Sequence, residues 1–124
     1  MEKIIYKEEC YQIIGKCFEV HKQLGAGFLE IVYKDALEFE FKRNNISYSR
    51  EKEYEVHYKN IILPHKFYAD FVVEEKIILE IKSVSKISEE HIAQSINYLK
   101  VSGNKLALLV NFGELAMSYK RIVL

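Results

Sequence analysis

Apolar residues recur at helical spacing from about Tyr6 to Leu24, at Cys10, Ile13, Ile14, Cys17, Phe18, His21 and Leu24. This is the stripe of an amphipathic helix. Gly25-Ala26-Gly27 ends it, with Gly25 a natural C-cap. A second stripe runs from about Phe28 to Arg43, with Leu29, Val32, Tyr33, Ala36, Leu37 and Phe41 on its inner side, and Asn44-Asn45 stops it. Alternation then replaces the helical period. Ser47–Tyr58 and Ile61–Val73 read as strands joined at Lys59-Asn60, with Pro64 at an edge or a bulge. Ile77–Val84 is a third strand, entered through Glu74-Glu75-Lys76. Ser88 caps a third helix reaching about Val101, and Glu89 and Glu90 complement its dipole. Lys105–Phe112 reads as a fully buried strand and Tyr119–Leu124 as a short final one. The order ααβββαββ has a meander, a crossover helix and then an apolar strand. It predicts an α/β (α+β) fold, a mixed sheet with helices on both faces.

Composition adds boundaries. A chain of 124 residues is expected to form a single domain over 1–124, burying roughly 65% of its unfolded surface. Hydrophobic content of 49%, with one Pro and five Gly, fits a globular protein without linker or repeat. Lys plus Arg (18) balances Asp plus Glu (18), so a nucleic-acid partner would have to be attracted by a local patch. Lys34, Lys42, Arg43, Lys86, Lys100, Lys105, Lys120 and Arg121 could supply one, but charges so spread usually solvate a surface. No apolar window approaches a membrane span and the N-terminus lacks a signal-peptide stretch, so no membrane association is expected. Cys10 and Cys17 are seven residues apart on one helix, roughly 10 Å along its axis, too far for a disulfide. They read as core hydrophobes in a reducing, cytoplasmic setting.

The candidate chemistry lies on one hairpin. If Glu74-Glu75-Lys76 is the loop, Val73 pairs with Ile77 and Asp70 falls opposite Glu80. Two carboxylates so placed repel by roughly 0.2–1 kcal/mol in a solvated sheet, and by more in a covered one. A divalent cation would remove the repulsion and lie beside Lys82, which shares a face with Glu80. The alternative is a solvated face of a one-sided sheet. Tyr68, Val72, Ile78 and Val84 alternate onto the same face as the charges, which points to a covered face instead.

Glu30 lies in the first turn of the second helix, where the dipole favours a carboxylate, and Tyr33 shares its face. Gln94 and Tyr98 stand one turn apart on the third helix, with His91 a turn before them; Gln94 could orient a water or hold a phosphate oxygen. His21 is a further supporting candidate, although a lone histidine on an apolar stripe is more often a satisfied core residue. Gly25-Ala26-Gly27 follows a helix and lacks the Lys-Ser/Thr of a P-loop, and no His or Cys pattern fits a zinc enzyme.

Gly27-Phe28-Leu29-Glu30-Ile31-Val32-Tyr33 resembles the signature of the GxxExxY proteins. Asp70, Glu80-Ile81-Lys82, His91-Ile92-Ala93-Gln94-Ser95-Ile96-Asn97-Tyr98-Leu99 and Leu108-Leu109-Val110-Asn111-Phe112-Gly113 follow in the family's order. The likeness extends from about Ile13 to Val123. That family is placed in the PD-(D/E)xK nuclease-like superfamily, with a restriction-endonuclease-like αβββαβ core. The resemblance implies a nuclease hydrolysing phosphodiester bonds of DNA, with RNA second, or else an inactive binding module that keeps the fold. It implies Mg²⁺ or Mn²⁺ held by Asp70, Glu80 and the Ile81 carbonyl, with Glu30 as a further ligand, direct or through water. Lys82 would position the attacking water, Gln94 would support the site, and Tyr33 and Tyr98 would complete its wall. The position before Asp70, nominally Pro in the superfamily, is Ala69 here. Small nucleases of this kind often dimerise, and nothing in the sequence decides whether this one is a homodimer.

Overall fold

The computed structural model describes residues 4–124; of the domain expected over 1–124, residues 1–3 lie outside the described part. Two helices, α1 (Lys7–Leu24) and α2 (Glu30–Arg43), precede strands β1 (Tyr48–Tyr58), β2 (Ile61–Val73) and β3 (Ile77–Lys82). Helix α3 (Glu89–Ser102) then leads to β4 (Leu106–Asn111) and β5 (Ser118–Val123). The five strands lie side by side in sequence order, antiparallel throughout except for the parallel pair β3–β4 that α3 bridges. A crossover helix is what parallel neighbours require. The element order and the helix-flanked mixed sheet are those expected from the sequence.

Each face of the sheet has its own core. Ile77, Leu79 and Ile81 of β3 and Leu106, Leu108 and Val110 of β4 pack beneath α1 and α2, against Ile13, Cys17, Tyr33, Leu37 and Phe41. Ile78, Ala107 and Leu109 pack on the other side against Tyr98 and Leu99 of α3. β3 and β4 are therefore apolar on both faces. Among the described residues no helix is long and apolar enough to cross a membrane. Both cysteines are free and buried. Pro64 sits where the β1–β2 register slips between Glu55 and His57, a bulge that spares it a ladder bond.

Four sequence expectations need correction. Phe18 is exposed and Val20 takes the buried place, because α1 packs along Cys10, Ile13, Ile14, Cys17 and Val20. Leu29 is exposed as the residue before α2, which begins at Glu30, two residues later than the periodicity indicated. Lys34 is not a surface charge: it lies in the buried stripe of α2 with Tyr33, Leu37 and Phe41. β3 ends at Lys82 and not at Val84. Asn111 binds the Val84 backbone at both its amide (3.0 Å) and its carbonyl (2.9 Å), drawing the chain out of the sheet.

Candidate functional site

Val73↔Ile77, Val72↔Ile78 and Phe71↔Leu79 pair in the register that places Asp70 opposite Glu80. There the ladder stops. The Asp70 amide donates to Glu80 Oε2 at 2.9 Å, and the Ile81 amide donates to Asp70 Oδ2 at 2.8 Å. Two backbone donors that a sheet would pair with carbonyls are satisfied by carboxylates. The strands part at this point and the acids fill the gap.

β2 also changes face here. Phe67 and Ala69 pack on the α3 side, yet Phe71 and Val73, of the same parity, pack on the α1–α2 side. The neighbouring strand breaks in step. Arg50↔Phe71 and Lys52↔Ala69 flank an unpaired Glu51, whose φ of 54° is left-handed. Tyr68 is thereby turned outward to Glu53, and does not share the covered face of Asp70 as alternation implied. Its carbonyl remains in the site's wall, accepting from the Tyr98 hydroxyl at 2.9 Å.

Glu80 is 6% exposed. Burial pushes its carboxyl well above the usual range, and the charge and hydrogen bonding of Asp70 push it further. Burial, followed by the charges of Glu80 and Asp70, likewise raises the Tyr98 hydroxyl. Lys82, two residues beyond Glu80, forms no ion pair among the described residues, and its carbonyl is fixed by the Phe112 amide at 2.8 Å.

The other expected site residues are distributed around this pair. Glu30 Oε1 accepts the Ser83 amide at 3.1 Å, one residue past Lys82. The Ser83 hydroxyl donates to the Phe28 carbonyl at 2.5 Å. Tyr33 donates to the Gly25 carbonyl at 2.6 Å, accepts the Phe28 amide at 3.2 Å, and stacks on Phe112 at 4.6 Å. The Gly27-x-x-Glu30-x-x-Tyr33 segment thus ties the loop before α2 to the end of β3. Gln94 is exposed on α3 and makes no side-chain hydrogen bond among the described residues. His91 closes a capping box with Ser88, and His21 meets the Glu114 carbonyl at 3.0 Å, so both are engaged in holding backbone.

Lys34 was missed as a site residue. It binds Asp70 Oδ1 at 3.0 Å and also Glu51 Oε1. Burial alone would lower its pKa, but the hydrogen bonds to Glu51 and Asp70 outweigh that and hold it above the ordinary lysine value. The available signal was its position, three residues before Leu37 and seven before Phe41 on the same stripe. Nothing in the sequence pointed to Glu51, whose alternating strand gives it no distinction.

Among the described residues no group of three His, Cys, Asp or Glu side chains is arranged to hold a metal ion. Two close carboxylates nevertheless fit a hard cation that takes one or two of them and keeps its waters. Glu80 is raised by burial first and by the charge of Asp70 second, and a cation between the acids would offset both.

The fold is similar to the crystal structure of SSO0001, with a TM-score of 0.61 and 20% identity, covering 95% of this chain and 60% of that one. At that identity the likeness concerns the fold alone. This chain spans about 60% of that protein's length. No curated protein sequence matches it. The sequence profile of the PD-(D/E)XK nuclease superfamily matches residues 7–122. With nearly the whole chain inside that match, the protein belongs to the PD-(D/E)XK nuclease superfamily.

Proposed function

We propose that this protein is a nuclease that hydrolyses phosphodiester bonds of DNA, with RNA the second substrate class, using Mg²⁺ or Mn²⁺. The observation that carries the reading is the parting of β2 and β3 around Asp70 and Glu80, with Lys82 unpaired two residues on. Asp70, Glu80 and the Ile81 carbonyl would hold the cation. When bound, it would lower the pKa of a water and neutralise phosphate oxygens, the largest contribution such a site can make.

The chain's own groups supply the rest. Lys82 shares the face of Glu80, so its ammonium donates to the attacking water and offsets charge building on the phosphoryl oxygens. Glu30 acts by fixing the Ser83 amide, which holds the chain immediately after Lys82. Tyr98 walls the site from α3, and Gln94, one turn earlier and exposed, would meet a phosphate oxygen.

The test is cleavage of single-stranded, double-stranded and branched DNA and of RNA in Mn²⁺. Lys82→Ala is expected to abolish cleavage while Mn²⁺ still raises the melting temperature. Unchanged cleavage by this variant would sink the proposal. A second reading, a nucleic-acid-binding module that does not cleave, is favoured by one observation. Lys34 already neutralises Asp70, and no third ligand is grouped with the pair among the described residues. Binding of substrate without cleavage in any of these cations would select it.

A further inference from the structure

We infer that Lys34 is a built-in competitor for the divalent cation, a positioning residue that sets how readily the acidic pair loads. The inference rests on the metal-site reading above. Asp70 has one oxygen committed: Oδ2 accepts the Ile81 amide at 2.8 Å where the sheet ladder is interrupted. Its other oxygen, Oδ1, makes no backbone bond and is the one the Lys34 ammonium holds, at 3.0 Å. A dication and an ammonium on one carboxylate oxygen repel each other, so loading displaces Lys34.

The structure gives the displaced ammonium a second place. Glu51 stands across from Asp70 on β1 at the unpaired position, in left-handed backbone, and its carboxylate already bonds Lys34. The Lys34 side chain is 10% exposed while that of Glu51 is 50% exposed. A small outward swing therefore moves the charge toward water without leaving it unpaired, and the cost of displacement stays modest. Glu80 has no ammonium of its own within salt-bridge distance among the described residues. Lys34 therefore acts on the site through Asp70 alone. The two partners have opposite effects. Removing Lys34 removes the competitor; removing the charge of Glu51 removes the alternative partner and leaves Lys34 on Asp70.

Calorimetric titration of the EDTA-stripped chain with Mn²⁺ alone tests this, on wild type, Lys34→Met, Lys34→Arg and Glu51→Gln. Methionine keeps the apolar stem that lies in the buried stripe of α2. The expected result is affinity tightened by roughly tenfold in Lys34→Met, less than the bare attraction because Glu51 softens displacement. Glu51→Gln is expected to weaken binding, and Lys34→Arg to remain near wild type. Equal or weaker binding in Lys34→Met overturns the inference while leaving the metal site standing. Absence of Mn²⁺ binding in every variant overturns both. If circular dichroism shows that Lys34→Met does not fold, Glu51→Gln decides: unchanged or tighter affinity there overturns the inference.

Discussion

The Asp70 amide donates to Glu80 Oε2 at 2.9 Å, so each residue of the pair is bound to the other's strand through a carboxylate where the sheet would otherwise continue. The same contact that fixes the acids also confines two like charges to a poorly solvated gap.

A pH dependence follows for the cation-free protein. The folded Glu80 carboxyl has a raised pKa, from burial first and Asp70 second, so the folded state holds that proton more tightly than the unfolded chain. Its contribution to stability is complete below the ordinary glutamate value of about 4.3 and is lost as pH rises through the raised one. Glu80→Gln keeps an oxygen for the Asp70 amide and has no such titration. Urea unfolding between pH 4.5 and 8 should show the variant gaining on wild type as pH rises. Parallel curves would contradict this.

Tyr33→Phe keeps the stacking on Phe112 and removes the hydroxyl that bonds Gly25 and Phe28. A loss of roughly 1–3 kcal/mol is expected in denaturant unfolding, because the Phe28 amide and the Gly25 carbonyl lose a partner. Amide exchange should quicken in the loop before α2 and at Ser83, whose hydroxyl binds the Phe28 carbonyl. Exchange faster in the loop alone would show that the two segments are not coupled.

Gly113 packs directly on the chain leaving β3. A Cβ there would lie 2.3 Å from the Val84 carbonyl oxygen and 2.4 Å from its nitrogen, and neither backbone atom can turn aside. Gly113→Ala should therefore cost on the order of 3 kcal/mol and displace the segment after Lys82. Thermal unfolding gives the first and amide exchange at Ser83 and Val84 the second. A stable variant with wild-type exchange there would mean that Val84 moves freely.

Asn111 is fully buried and uses both ends of its amide: Oδ1 accepts the Val84 and Gly113 amides, and Nδ2 donates to the Val84 carbonyl and to Glu114. Asn111→Leu leaves those backbone groups without partners, and a loss of about 3 kcal/mol or more is expected on chemical unfolding. Asn111→Asp keeps the acceptor but turns a buried carboxylate oxygen on the Val84 carbonyl and on Glu114, so it should be no more stable than Asn111→Leu at neutral pH. An Asp variant as stable as wild type would show that the donor end is dispensable.

The element order, the double-faced burial of β3 and β4, and the opposition of Asp70 to Glu80 could all be read along the chain, because periodicity and hairpin register are local consequences of backbone geometry. The Gly27, Glu30 and Tyr33 pattern was visible too, but its contacts were not: Glu30 meets Ser83, 53 residues away. Lys34 was legible by position on its stripe and was misread by type, since a lysine is almost never buried unless paired. Its partners come from two strands that no local rule brings to α2. The same holds for the change of face at Asp70, where Glu51 in left-handed backbone on one strand and side-chain bonds on the next jointly break the alternation. Local order along the chain thus determined which acids face each other. How they are neutralised, and from which side, was decided when α2 packed across the sheet, because an ion pair needs proximity that sequence separation does not report.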